Sequence, residues 1–362
     1  MFPKVVVDCF AGAGGLSLGL KEAGFDIKAA FDNSQFAVDT YAYNIGKHII
    51  KADANEISGK ELLSIAGCSA DECVAVVGGP PCQGFSVQRR GLGRDSRNDL
   101  ILEFLRIVSE IRPPLFLMEN VSAIRSNKNS EYLERFIKYS SEIGYRLDLQ
   151  VLNAADYGVP QHRKRAFIVG ERQDRVKVFQ FPKPVLSQAT WLTVRDAFVN
   201  LPVPTDSPDS NQSFPNHKLI NTSELNRLRI SHVPPGGGRQ HLPDHLRLPC
   251  HEVSVDVAGH RNVYGRLEWD SPAGTITTKC NSFTRGKFGH PEENRNITMR
   301  EAARLQGFPD TFVFLGGTVA TAHQIGNAVP PPLARHLGNS LRDALYSSIS
   351  KPDIDEQLVL RF

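Results

Sequence analysis

The six cysteines of this chain (Cys9, Cys68, Cys73, Cys82, Cys250 and Cys280) include no CxxC pair. That excludes a zinc knuckle, and so few scattered thiols do not make a disulfide framework, so a reducing compartment is expected. Cys250 beside His251 is at most half a metal site, because no second pair lies at ligand spacing, and no metal is expected. No apolar run approaches the roughly 20 residues needed to span a bilayer. The N-terminus also lacks the charged, apolar and small-residue segments of a secretory signal, so a cytoplasmic protein with no membrane partner is expected. There is no internal repeat, and low complexity is confined to a loop rich in Pro, Ser and Asp near 202–213. Excess charge of one sign is lacking too: 42 Lys and Arg face 39 Asp and Glu, a formal net charge of +3. Such a balance permits a polyanionic partner without demanding one, since local clustering matters more than the total. The 362 residues allow one large or two modest domains with ample core.

What is present centres on GlyGlyProProCysGlnGlyPheSer, Gly78 to Ser86, after the apolar run Val74–Val77. The run reads as a short strand buried on both faces, and the two glycines and two prolines end it in a stiff ledge. Cys82 on that ledge is either a presented nucleophile at the carboxyl end of a sheet strand or a buried structural thiol.

Around the ledge the pattern alternates strand and helix. Val5–Val7 reads as the first strand, followed by the glycine turn Asp8–Gly15 and an amphipathic helix over Leu16–Ala23. Such a turn lets a ligand approach backbone amides. A dinucleotide fingerprint would need a third glycine where Ser17 stands, which weakens a nicotinamide reading. Ile27–Phe31 is a second strand with Asp32 at its end, where an acid often accepts from ribose hydroxyls. Asp53 follows a third short segment, and each acid alone also reads as a solvated loop residue or helix cap. The stretch Val87–Asn98 holds Arg89, Arg90, Arg94 and Arg97 against the single acid Asp95, with Gly91 and Gly93 as hinges. It suits phosphate contacts and closure, or is an ordinary solvated loop. A helix beginning at Asp99 ends before Pro113, and the strand Leu115–Met118 then delivers Glu119. A carboxylate after four apolar residues is either a site residue with a raised pKa or an exposed strand end. A helix over Ser130–Ile143 and strands at Tyr145–Leu152 and Ala166–Gly170 complete a mostly parallel α/β sheet. Between the last two strands, GlnHisArgLysArg (Gln161–Arg165) puts Arg163 and Arg165 on one side and Lys164 on the other.

From Leu186 to Asn296 periodicity fades, and seven of the eleven histidines fall in this stretch. Twelve basic residues stand there against eleven acidic ones, which suits dispersed donors and acceptors reading base edges, or any irregular small domain. Arg300–Pro309 reads as a short helix with a proline stop, and Gln324–Pro331 as the opening of a terminal helix.

Together these blocks resemble the DNA cytosine carbon-5 methyltransferases of bacterial restriction–modification type, in that family's order from Val5 to about Leu345. ProProCysGlnGlyPheSer is similar to the family's nucleophile motif and GluAsnVal (Glu119–Val121) to the motif that holds the target base. GlnHisArgLysArg resembles its Gln-x-Arg-x-Arg block. The resemblance implies a Rossmann-like α/β S-adenosylmethionine-dependent methyltransferase domain with a smaller irregular target-recognition domain. The expected division is 1–185 with 297–348 for catalysis, 186–296 for recognition, and 349–362 as a tail. It implies Cys82, Glu119, Arg163 and Arg165 as catalytic residues. It further implies a cofactor pocket of Phe10, Ala11, Gly12, Gly14, Gly15, Leu16, Asp32, Asn33, Asp53, Pro80, Asn327 and Ala328, although the family more often has Glu at the position of Asp32. DNA contacts are expected from Ser86, Gln88, Arg89, Arg90, Arg94, Arg97, Thr277 and Thr278, the last two within a segment (Ala273–Ser282) similar to the core of the family's recognition region. ValProProGlyGlyGlyArg (Val233–Arg239) is expected to be a loop near the DNA. The expected partner is double-stranded DNA, with room for a separately acting cognate restriction endonuclease. The protein is expected to be a monomer with no further domain before Val5. A tRNA cytosine methyltransferase remains the nearest alternative, and a cofactor-binding protein that reads DNA without modifying it a more distant one.

Overall fold

The structure, a computed structural model, describes residues 4–81, 100–125, 130–176, 178–205, 213–248 and 262–347. Its frame is a seven-stranded sheet in the order β3-β2-β1-β4-β5-β7-β6. The strands are β1 (Val5–Cys9), β2 (Asp26–Asp32), β3 (Ile49–Lys51), β4 (Cys73–Gly78), β5 (Leu115–Val121), β6 (Tyr145–Asn153) and β7 (Lys164–Arg172). β4, CysValAlaValValGly, is buried at every position. Such continuous apolar runs are what strands covered on both faces require. The pleat divides their side chains between two cores. Val6, Ala75, Val77, Leu115 and Leu117 enter one, and Val7, Val76, Phe116 and Met118 the other.

The first core is closed by α1 (Gly15–Glu22) and the last described helix, Pro331–Ser347. These two approach closely because Gly19 has no side chain. A Cβ there would fall on the carbonyl of Pro331 and 2.5 Å from the Ala334 side chain. The second core is closed by α2 (Leu100–Ile111), which buries Ile101, Phe104, Leu105, Ile107, Val108 and Ile111. Phe116 lies at its centre, 5.8 Å from Phe104 and 5.2 Å from Tyr145 between ring centroids. Gly170 stands opposite Phe116 on β7 because a Cβ there would fall inside that ring.

The sheet is mostly parallel, as the alternating pattern implies, with β7 antiparallel to both neighbours. The reason is the link before it. Only a 3-10 turn, Ala154–Tyr157, and a short extended segment join β6 to β7, whereas a parallel crossover needs a dozen or more residues and usually a helix. The start of β7 therefore lies at the same rim as the ends of β1, β2, β4 and β5.

Between 186 and 296 the described elements are short: helices Val194–Phe198 and Glu224–Ser231, and the paired strands Gly265–Arg266 and Lys287–Gly289. A small core of Ile230, Val233, Leu242, Val263, Tyr264 and Phe283 forms there. Buried Arg266 takes the place of regular pairing. It donates to the carbonyls of Ile230, Val233, His290 and Glu293 and to the Asn294 side chain, each within 2.8 Å. A second core crosses both ends of this stretch, joining Val194, Phe198, Ile276 and Phe288 to Ala11, Ala13, Met299 and Phe308. The helix expected from Gln324 is two helices. Thr318–Asn327 ends there, and a new one begins at Pro331, since proline is tolerated at a helix start but not within one. Among the described residues no helix is long and apolar enough to cross a membrane.

Candidate active site

The glycine turn after β1 forms where the backbone must take left-handed angles: φ is +57° at Phe10, +57° at Gly12 and +96° at Gly14. The Gly12 amide donates to Asp32 Oδ2 (2.9 Å) and the Ser34 amide to Asp32 Oδ1 (2.9 Å), so the acid at the end of β2 braces the turn. Burial raises Asp32 above the usual carboxylate range, while the amides of Ser34 and Gly12 pull it back. Space beside Gly12 is open, with no heavy atom within 4 Å of where a Cβ would lie. The Phe10 ring leans on Phe31 at 5.2 Å beside this opening. Asn33 is exposed. Asp53 is also exposed and accepts from the amide and side chain of Asn55. Its loop is pinned by Arg106, which donates to the carbonyls of Ala54 and Ile57. This is a cradle of amides and oxygen acceptors that suits a ribose-bearing cofactor.

The segment after helix Thr318–Asn327 closes one side of the turn. Gly15 lies so near it that a Cβ would fall on the Val329 carbonyl and 3.2 Å from the Ala328 Cβ. Gly15→Ala is therefore expected to cost about 1–3 kcal/mol of stability, as overpacking does, with an unchanged urea midpoint arguing that the segment is not held there. Leu16 is core. Asn327 is exposed and its amide meets His323 Nδ1 at 3.2 Å, while Ala328 is buried.

Glu119 and Arg165 meet because β5 and β7 are antiparallel. Glu119 stands opposite Phe167 and Val121 opposite Arg165, so the acid and the arginine are diagonal neighbours on one face. Arg165 Nε lies 3.0 Å from Glu119 Oε1, with side-chain exposures of 17% and 12%. Burial pushes Glu119 up from the usual carboxylate range, and Arg165 and then Arg163 draw it down. A carboxyl raised in this way is better placed to lend a proton than an ordinary surface carboxylate, and its guanidinium partner can bind an oxygen.

Gly79, Pro80 and Pro81 run past this pair. A Cβ on Gly79 would lie 3.4 Å from Glu119 Oε2, and Asn120 Nδ2 donates to the carbonyl of buried Pro80 (3.4 Å). The described part of the ledge thus passes Glu119 and ends at Pro81. Cys82, Ser86, Gln88, Arg89, Arg90, Arg94 and Arg97 lie outside the described residues, as do Cys250 and His251. Cys9, Cys73 and Cys280 are buried free thiols raised by desolvation, the last two to about 12, which leaves them inert.

Arg163 differs from the expectation that both arginines point into the site. Its guanidinium is buried and donates to the carbonyls of Ile276 (3.1 Å), Gly326 (2.9 Å) and Ala328 (3.0 Å). Arg163 still lowers the Glu119 carboxyl through its charge, so it acts on the pair without bonding to it. Thr277 is exposed and Thr278 half-buried, their backbone packed directly on Gly326. Two buried residues went unassigned in the sequence reading: Asp8, and Gln161, whose side chain bonds Leu305, Gln306 and Ile276. Asp8 ends an apolar strand, the same signal that marked Glu119.

A doubly wound sheet with a glycine turn after β1, an acid at the end of β2 and a sequestered acid–guanidinium pair at the end of β5 is an arrangement suited to a nucleotide-type cofactor beside an acid able to move a proton. Residues 5–343 match the C-5 cytosine-specific DNA methylase family. The chain belongs to that family and is a DNA cytosine-5 methyltransferase. It is 34% identical over 341 residues to the type II methylase M.HgiDII of Herpetosiphon aurantiacus, covering 93% of this chain and 94% of that one. Identity to the type II methyltransferase M1.HphI of Haemophilus parahaemolyticus is 36% over 340 residues, with coverage of 92% and 86%. Among solved structures, an E. coli prophage-encoded protein described as a DNA modification methyltransferase superposes with a TM-score of 0.74 at 27% identity, covering 94% of this chain and 99% of that one. The S. pombe Dnmt2 methyltransferase shares the fold, with a TM-score of 0.64 at 19% identity over 94% of this chain and 99% of that one.

Proposed function

We propose that the chain methylates carbon-5 of a cytosine within one specific duplex DNA sequence, with S-adenosylmethionine as methyl donor, as the modification activity of a type II restriction–modification system. The observation that carries this reading is the Glu119–Arg165 pair at 3.0 Å beside the ledge that leads to Cys82. When bound, S-adenosylmethionine supplies an electrophilic methyl group on sulfonium. The open cradle at Gly12, the bracing acid Asp32, and Phe10, Asn33, Asp53, Pro80, Asn327 and Ala328 around it suit its nucleoside and amino-acid ends.

Cytosine carbon-5 is too weak a nucleophile to be methylated unaided. In this reading the Cys82 thiolate adds to carbon-6, and the ring becomes an enamine whose carbon-5 can accept the methyl group. Glu119 hydrogen-bonds the ring at N3 and the amino group and lends a proton as charge builds. Arg165 binds the carbonyl oxygen and stabilises that charge. Loss of the carbon-5 proton to solvent then expels Cys82 from carbon-6 as its thiolate and restores the ring, with S-adenosylhomocysteine as the other product. A cytosine stacked in duplex cannot present carbon-6 to Cys82, so the base is flipped out, at about a few kcal/mol. The Val87–Asn98 stretch, with its four arginines, is the proposed source of the compensating backbone contacts. Residues 186–296, including Thr277 and Thr278, are proposed to read the site, and 1–185 with 297–348 to form the catalytic part.

The test is incubation of the purified protein with tritiated S-adenosylmethionine and, separately, unmethylated genomic DNA or bulk tRNA, with the label mapped by bisulfite sequencing. Label at carbon-5 within one short DNA sequence is expected. Label in RNA alone would move the enzyme to RNA substrates, and none in either would overturn the reading.

A further inference from the structure

Gln161 and Arg163, two residues apart on the lead into β7, grip both backbone groups of one residue, Ile276. Its amide donates to Gln161 Oε1 (2.9 Å) and its carbonyl accepts from Arg163 Nη1 (3.1 Å). The next two residues are Thr277 and Thr278. The other half of the Arg163 guanidinium donates to Gly326 and Ala328, the carbonyls that end helix Thr318–Asn327. Helix C-termini leave such carbonyls without intrahelical partners and carry negative partial charge, so a cation is favoured there despite its burial. Gln306 donates to the same Ala328 carbonyl (2.6 Å) and accepts from Gln161, closing the knot. No side chain separates the two segments at Gly326, where a Cβ would fall on the Thr277–Thr278 backbone. The main chain of Arg163 is itself fixed, its amide donating to Asn153 Oδ1 (3.2 Å) and its carbonyl accepting from Ala154 (2.9 Å).

We propose that Arg163 is a positioning residue that locks the segment closing the cofactor pocket, Asn327–Ala328, to the segment facing DNA, Thr277–Thr278, so that binding of either ligand strengthens binding of the other. This rests on the roles given to those segments under the proposed function. A buried fork holding both at once gives them a shared set of arrangements, and whatever orders one orders the other. Such a coupling is reciprocal by thermodynamic necessity.

The experiment measures affinity for S-adenosylhomocysteine with and without a duplex carrying the mapped site, and for the duplex with and without S-adenosylhomocysteine. In the parent each ligand is expected to tighten the other by the same factor, about tenfold. Arg163→Lys, which cannot span three carbonyls in one plane, and Gln306→Met, which releases Ala328 without touching the buried cation, are each expected to lower that factor to about twofold, and for Gln306→Met the duplex affinity of the ligand-free protein changes little. The second variant keeps the test intact if the first does not fold. An uncoupled parent, or variants with the parent's coupling, would overturn the proposal. If S-adenosylhomocysteine does not bind the parent at all, the cofactor reading itself fails and the coupling falls with it.

Discussion

Cys82→Ser is expected to leave no measurable methyl transfer, and Glu119→Gln to lower the rate by about 10²–10⁴-fold, with duplex binding retained in both. The two losses have different origins. Serine at 82 keeps the size of the side chain and removes the thiolate, since an alcohol is far less acidic than a thiol and a much poorer nucleophile at neutral pH. Glutamine at 119 keeps the shape and one oxygen acceptor but cannot pass a proton to the ring. Glu119 is suited to that step because burial raises it above the usual carboxylate range while Arg165, at 3.0 Å, opposes that rise. The glutamine variant also leaves the Arg165 guanidinium beside a neutral partner, so part of its loss belongs to misplacement of Arg165. Single-turnover transfer of tritium separates these cases. Appreciable label with Cys82→Ser would sink the covalent step, and a full rate with Glu119→Gln would remove the proton-transfer role.

Much of this site was legible in the chain because its signals are local. The apolar run before Glu119 marked it as either a buried site acid or an exposed strand end, and the family resemblance, not the alternation along Gln161–Arg165, set Arg165 in the site with it. Alternation could not tell where Arg163 would finish. A period of two gives the face of a strand, but Arg163 precedes β7, and its three acceptors come from residues more than a hundred positions away. The same limit applies to the antiparallel sense of β7, which depends on the short link before it, and to the separate helix Thr318–Asn327, which precedes the terminal helix that the block Gln324–Pro331 was expected to open. In 186–296 the sheet and helix periods fail because buried arginines bonded to carbonyls, Arg266 foremost, replace regular pairing. Composition carries no mark of that arrangement.

Asp8→Asn is expected to change the pH dependence of stability more than any other substitution beneath the cofactor turn. Asp8 is fully buried, accepts from Ser17 Oγ at 2.6 Å through Oδ2, and has no hydrogen-bond partner for Oδ1 among the described residues. Ser17 in turn meets Tyr41 Oη (2.9 Å), and Tyr41 meets His48 Nε2 (3.1 Å), a chain running from the interior to a partly exposed imidazole. Burial pushes the Asp8 carboxyl to about 7, with Ser17 opposing and the nearby Asp32 adding to the rise. A carboxyl raised in the folded state contributes stability that is fully present below its unfolded value and is lost as pH climbs through 7. A rise from 3.8 to about 7 corresponds to about 4 kcal/mol, of which roughly 2–3 falls between pH 5 and pH 8. Asparagine cannot ionise, so urea unfolding at the two pH values should show the variant gaining about 2–3 kcal/mol on the parent at pH 8 relative to pH 5. A stability difference that is the same at both would mean that Asp8 is already charged in the fold. The acid sits where this cost matters, because the Tyr41 ring that ends at Ser17 also packs on Gly14, 2.9 Å from where its Cβ would be. A carboxyl that loses its proton with one oxygen unpaired therefore loosens the brace beneath the cofactor turn, and the pH at which stability falls should also be the pH at which affinity for S-adenosylhomocysteine declines.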